Sequence, residues 1–246
     1  MVKQEIIYGI HAAKAAIVKH YDKVNHAYIL DGKHDRNLND TLKLIKKHNI
    51  KFTRVDKGSL SQMAGNTNHQ GIVLQVSSSG HYDFHSLLDT IEALEPGEKL
   101  KLLVLDEVQD PHNLGACLRS ADAFGVHAII VPKNNAAHLT PVVRKVACGA
   151  AEVVPTIVVT NLVRALRELQ ELNFWVVGTA ADAEDTLSDV DSKQNLVMVL
   201  GAEGTGMRRL TKDVCDQLIS IPMTGSVSSL NVSVSAGVIL YHLSMD

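Results

Sequence analysis

The sequence predicts an α/β protein of two modules, the second a mainly parallel sheet covered by helices, and three observations carry that prediction. From Leu100 onward, apolar runs alternate with helical stretches: LKLLVLD, HAIIVP, AEVVPTI, FWVVGTA, NLVMVLG and LISIPM. Segments such as LVMVL are apolar at consecutive positions, as strands buried on both faces must be, and such strands belong to parallel sheets. The third observation is punctuation: Ser77-Ser78-Ser79-Gly80 and Pro96-Gly97 interrupt the pattern where a linker would lie. The expected division is a first module of residues 1–78, a linker of 79–97 and a second module of 98–246.

Within the first module, Gly9 to His20 is amphipathic, His26 to Leu30 reads as a strand and Asn37 to His48 as a helix. Lys51 to Val55 and Gly71 to Val76 read as further strands. The linker holds a short helical stretch, Phe84 to Leu94. In the second module the predicted helices run through Leu118 to Phe124, around Val142 to Ala147, from Leu162 to Leu172, near Met207, and from about Leu230 to Leu243. Neither an internal repeat nor a low-complexity tract is visible.

A chain of 246 residues with 46% hydrophobic content holds ample material for a packed core. Cys117, Cys148 and Cys215 are odd in number, far apart and without a C-x-x-C pair, which argues against disulfides and structural zinc. The N-terminal residues lack a signal-peptide pattern, and no run approaches the roughly 18 apolar residues of a membrane helix. The expectation is a cytoplasmic protein with no membrane partner and no metal.

The net charge of −3 hides an asymmetry. Residues 1–78 carry 12 Lys+Arg against 6 Asp+Glu, a net of +6, whereas the remainder carries a net of −9. A basic module beside an acidic one suits a first module that approaches a polyanion and a second that holds chemistry; a solvated lysine-rich face is the plainer account.

Three polar clusters follow strand-like runs of the second module. In Asp110-Pro111-His112-Asn113, Asn113 is the expected N-cap of the helix carrying Arg119, a guanidinium on an otherwise small and apolar helix that wants a carboxylate or phosphate. Gly201-Ala-Glu203-Gly204-Thr-Gly206 has neither dinucleotide-fold nor P-loop spacing, so NAD and ATP are poor candidates. It lets backbone groups approach a ligand closely, or is an ordinary tight turn; Glu203 orients Arg119 or is an exposed turn acid. Ser226, Ser228, Ser229, Asn231, Ser233 and Ser235 surround a helix start as caps, or as short donors and acceptors for a polar small molecule. His11, His69 and His112 are isolated. With no nucleophile elbow, metal set or catalytic carboxylate pair in view, group transfer by positioning is favoured over hydrolysis.

In this order the clusters resemble the three motifs of the SpoU class of SPOUT RNA methyltransferases: Asn113 to Arg119 in LDEVQDPHNLGACLR, Glu203 in LVMVLGAEGTGM, and Ser229 with Asn231 in ISIPMTGSVSSLNVSVSAG. Ile7-Tyr8-Gly9-Ile10-His11 and His69-Gln70-Gly71-Ile72 extend the likeness into the first module. The resemblance implies an α/β trefoil knot that binds S-adenosyl-L-methionine (AdoMet), preceded by an L30e-like RNA-binding domain, in a homodimer. It implies that Arg119, Asn113, Glu203, Ser229 and Asn231 are catalytic or substrate-binding, and that Gly201, Ile221, Leu230, Thr179 and Ala180 hold AdoMet. Whole-chain likeness within the class is to members that methylate a guanosine 2′-oxygen of 23S rRNA, in the peptidyl-tRNA-binding loop, on free rRNA or a large-subunit precursor; DNA is not an implied partner. The alternatives are a tRNA ribose methyltransferase of the same class and an RNA-binding protein without catalysis.

Overall fold

The computed structural model describes residues 4–32, 35–77, 83–93, 95, 97–227 and 229–245, and the chain divides into two compact units. The first comprises Met1–His81 with Leu139–Val153, the second Tyr82–His138 with Val154–Asp246.

In the first unit β1 (Gln4–Tyr8), α1 (Ile10–His20), β2 (Val24–Leu30), α2 (Arg36–Lys47), β3 (Phe52–Val55), α3 (Lys57–Ala64) and β4 (Ile72–Ser77) form a sheet ordered β1-β4-β2-β3. β4 runs antiparallel to β1 and β2, while β2 and β3 are parallel across α2. Strand alternation places Ile7, Ile29, Ile72 and Leu74 against α1 and α2, and Tyr8 and Val73 against Leu60 and Ala64 of α3. Periodicity missed β1 and α3. Only Leu60 and Ala64 of α3 are buried, so its signals are its ends: Asp56 accepts from the Ser59 N–H at 3.0 Å, and Gly65 closes the helix at φ +60°.

Chain order in the second unit is α4 (Phe84–Glu92), β5 (Lys101–Asp106), α5 (Pro111–Ala123) and β6 (Ala128–Pro132). After α6 (Pro141–Val146), which groups with the first unit and whose Arg144 pairs with Glu5 and Glu152, the second unit resumes. It continues with β7 (Thr156–Val159), α7 (Leu162–Glu171), β8 (Phe174–Thr179), β9 (Asp185–Thr186), β10 (Asn195–Gly201), α8 (Arg209–Lys212), β11 (Gln217–Ser220) and α9 (Val232–His242). The sheet order is β7-β6-β5-β10-β8-β11-β9, parallel at every pairing. Leu102, Val104, Val197 and Val199 meet Leu166 and Leu169 of α7 and Leu87 of α4 on one face. Their alternates, Leu103, Leu105, Met198 and Leu200, are equally buried on the other, the double burial that consecutive apolar positions predict.

Two predicted boundaries are corrected. AEVVPTI is not one strand: Ala150–Glu152 forms a helical turn after Gly149 at φ +102°, and the strand starts beyond Pro155, which has no N–H to donate and whose carbonyl accepts from the Ile129 N–H at 2.9 Å. The helix carrying Arg119 begins at Pro111, with Asp110, not Asn113, as its N-cap, accepting from the His112 N–H at 2.9 Å. Asn113 therefore lies inside the first turn, with its side chain free of capping duty.

Among the described residues, no helix is long and apolar enough to cross a membrane. Burial pushes the Cys117 and Cys215 thiols up to about 12, while Cys148 is exposed. Iodoacetamide applied to the native protein at pH 7.5 is expected to alkylate Cys148 and spare the other two, because the thiolate is the nucleophile. Mass mapping reads the result, and equal labelling of all three would contradict this burial.

Candidate active site

The site is built at the carboxyl ends of adjacent parallel strands, where open α/β sheets leave room for ligands. β10 ends at Gly201, and the chain then turns back so tightly that its own later backbone passes over that residue. A Cβ on Gly201 would lie 2.1 Å from both the Gly206 carbonyl carbon and the Met207 nitrogen. Only hydrogen at that position allows the crossing. Ala202 and Gly206 exchange two backbone hydrogen bonds, at 3.2 and 2.9 Å, leaving Glu203 exposed in the turn between them.

Asn231 joins the three clusters. Its amide nitrogen donates to Asn113 Oδ1 at 3.0 Å and to Glu203 Oε2 at 3.1 Å, while its Oδ1 accepts from Ser233 N–H at 2.9 Å and Ser233 Oγ at 2.6 Å, capping α9. The partners fix the orientation of the amide, since a carboxylate only accepts and a backbone N–H only donates. Both amide protons are used, so the side chain is held at both ends as a strut.

Beside this strut lies a cavity of about 360 Å³, within the size range of small-molecule sites. All five residues expected to hold a cofactor line it: Thr179 at the end of β8 and Ala180 just beyond it, Gly201 at the end of β10, Ile221 after β11, and Leu230 before α9. Glu203, Ser229 and Ser235 of the polar clusters line it too, as do Met223 and Val232, which sequence reasoning did not single out. Ile219, Ile221, Leu230 and Val232 provide apolar walls, and the strand ends provide backbone donors and acceptors. That donor set fits a flat heteroaromatic ring with a polar tail. Of the other serines, Ser226 is exposed, Ser233 is bonded to Asn231, and Ser228 lies outside the described residues.

Asn113 and Arg119 share α5 but not its environment. Asn113 is half-buried against Asn231, whereas Arg119, six positions on, is exposed and does not line the cavity. No group of three or more His, Cys, Asp or Glu able to hold a metal occurs among the described residues.

Residues 101–241 match the SpoU rRNA Methylase family, and residues 6–81 match the family described as RNA 2′-O ribose methyltransferase substrate binding. The chain belongs to the SpoU rRNA methylase family. Two SpoU relatives, both named 23S rRNA (guanosine-2′-O-)-methyltransferase RlmB, are 48% identical to it. The Nitrosomonas europaea protein aligns over 242 residues, 98% of this chain and 92% of its own, and that of Escherichia coli K12 over 238 residues, 97% of each. The fold is shared with the SpoU methyltransferase AviRb from Streptomyces viridochromogenes, solved in complex with AdoMet, at a TM-score of 0.79 and 23% identity over 98% of this chain and 90% of that one.

The SpoU motifs as read from the sequence pass over one pair of side chains. Asp106, the fully buried last residue of β5, binds Arg208, which lies just beyond the glycine turn. The available signal was a carboxylate ending an apolar strand, since a buried charge of that kind demands a cation or several donors.

Proposed function

We propose that this protein transfers a methyl group from AdoMet to the 2′-oxygen of a guanosine ribose in 23S rRNA or its large-subunit precursor, in the peptidyl-tRNA-binding loop. The observation that carries the reading is Asn231, which ties Asn113, Glu203 and the start of α9 together beside the cavity. Identity of 48% to relatives named for that reaction supports the choice of substrate.

Bound AdoMet supplies an electrophilic methyl group on a sulfonium sulfur. Thr179, Ala180, Gly201, Ile221 and Leu230 hold it through backbone groups and apolar walls. Asn113, Glu203, Ser229 and Asn231 position the ribose for in-line attack, a task of alignment more than of acid chemistry. A guanidinium stays protonated in proteins, so the 2′-hydroxyl proton passes to solvent while Arg119 donates hydrogen bonds to the oxygen as negative charge develops there. Its exposure suits contact with RNA.

Residues 1–78 serve as the L30e-like substrate-binding module, 79–97 as the linker and 98–246 as the catalytic module, a division supported by the separate family matches. The net charge of +6 in residues 1–78 favours a polyanion. The second unit is knotted in this reading: α9 packs on α5 while its N-terminus closes the cavity beside the turn after β10. Threading of this kind is rare, and local periodicity does not encode it. The protein acts as a homodimer in the cytoplasm. Val234, Val238 and Tyr241 form one exposed apolar stripe on α9, with Tyr241 edge-on to Phe124, a surface suited to a second copy.

Incubation with methyl-labelled AdoMet and unmodified 23S rRNA, followed by nucleoside analysis, is expected to yield 2′-O-methylguanosine. Label appearing only on tRNA would overturn the substrate assignment. Arg119→Ala is expected to leave AdoMet affinity within about twofold and to lower turnover by about 10²–10³-fold, the scale of losing an oxyanion donor. Near-normal turnover by this variant would remove the role assigned to Arg119.

A further inference from the structure

We infer that Arg208 and Asp106 form a positioning clamp that sets the affinity of the cavity for AdoMet by fastening the glycine turn to the end of β5. The inference rests on the function proposed above. Asp106 is the register partner of Gly201 across the β5–β10 pairing, and its carboxylate is fully buried there. Three donors from one residue reach it: the Arg208 backbone N–H meets Oδ2 at 3.0 Å, Nε meets Oδ1 at 2.8 Å, and a terminal guanidinium nitrogen lies 2.7 Å from Oδ1. Glu107, at 3.8 Å from Nε, adds negative charge on the outer side.

The clamp sits where the turn most needs an anchor. Gly201 permits the backbone of Gly206 and Met207 to cross it, but permission is not attachment. Gly204 and Gly206 hold φ of +83° and +69°, and a Cβ at either would meet nothing within 4 Å. Such residues give the loop freedom unless its ends are tied. The Ala202–Gly206 pair closes the turn upon itself, whereas the Arg208–Asp106 contact ties it to the sheet. Five residues of that turn, Gly201, Ala202, Glu203, Gly204 and Gly206, line the cavity, and Glu203 also reaches Asn231. Loosening the clamp therefore moves a cofactor wall first and the polar strut second. Neither Asp106 nor Arg208 lines the cavity, so both act through the turn.

The test uses the full-length protein with Arg208→Ala, Arg208→Lys and Asp106→Asn, measuring AdoMet Kd by calorimetry, KM for AdoMet and for rRNA, kcat and Tm. Arg208→Ala is expected to raise Kd and KM for AdoMet by about 10-fold, the scale of losing hydrogen bonds to a charged group. Its KM for rRNA should stay within about twofold, because the loss acts on the cofactor wall. Arg208→Lys, which keeps the charge but not the fork, should fall between Arg208→Ala and wild type. Arg208 is half-exposed, so its variants remain informative even where Asp106→Asn fails to fold. A lowered Tm with unchanged AdoMet Kd and KM in Arg208→Ala would reduce the pair to a structural contact and overturn the inference. A shift in KM for rRNA alone would overturn it in favour of a direct RNA contact. Wild-type protein that binds no AdoMet would remove the functional reading together with the clamp, an outcome separate from both.

Discussion

Replacing Asn231 by Asp is expected to lower turnover by about 10²–10³-fold at pH 7.5 while lowering stability by less than Asn231→Ala does, because it breaks the alignment of reacting groups and sets two acids together at an exposed turn but keeps the helix cap. The retained oxygen still accepts from Ser233 at the start of α9. The lost amide nitrogen is the donor that now meets Glu203 Oε2 at 3.1 Å and Asn113 Oδ1 at 3.0 Å. In its place stands a carboxylate facing a carboxylate. Two acids so close cannot both ionise freely, and one of them has its pKa raised. As the pH falls from 8 toward 5, that acid takes up a proton, and its single O–H again links positions 231 and 203, though not position 113 as well. The ratio of variant to wild-type rate should therefore rise on acidification. Asn231→Ala lacks both bridge and cap; it is expected to lose about 1 kcal/mol of stability as well and to recover nothing at low pH. Rate measurements from pH 5 to 8, paired with melting curves, distinguish the two variants. Wild-type turnover by Asn231→Asp at pH 7.5 would show that the strut has no part in the reaction.

The second large effect is expected from a single methyl group. Gly201→Ala places a Cβ 2.1 Å from the Gly206 carbonyl carbon and the Met207 nitrogen, and 2.5 Å from the Gly206 oxygen. These are backbone atoms and cannot rotate aside as a side chain would. The turn must lift off the sheet, taking with it the cavity wall and the Arg208 attachment, at a cost of at least about 3 kcal/mol. AdoMet binding should weaken by more than about 100-fold, the consequence of losing a preformed wall. Gly204→Ala provides the contrast, because the space around Gly204 is open and only its φ of +83° resists the change; that costs about 1–2 kcal/mol. Denaturant titration and calorimetry on both variants would test the comparison. Equal tolerance of the two substitutions would show that the crossing over Gly201 is not rigid.

Local signals carried much of this fold into the sequence. The apolar runs around Val104, Ile130, Val176 and Val199 identified buried parallel strands because burial on both faces leaves no polar alternate. Where such runs met proline the reading slipped, as at Val153-Val154-Pro155, since apolar content does not register a missing N–H. Helix α3 went unread because its ends, not its face, define it. Asn113 and Asp110 are both good caps by residue type, and it is Asp110, three residues earlier, that fills the role. Residue type alone cannot rank two good caps placed so close together.

By itself the sequence determined the parallel character of the second sheet and the three polar clusters that follow its strands; it showed the charge asymmetry along the chain, but not that Leu139–Val153 groups with the first unit. Only the tertiary structure decided which strands are neighbours, and with that order came the site. Setting β10 between β5 and β8 lets Asn231 reach across 118 positions to Asn113 and 28 to Glu203, and lets Arg208 reach across 102 to Asp106. The physical reason is that periodicity reports which face of an element is buried, whereas a hydrogen bond between side chains depends on which other element lies beside it.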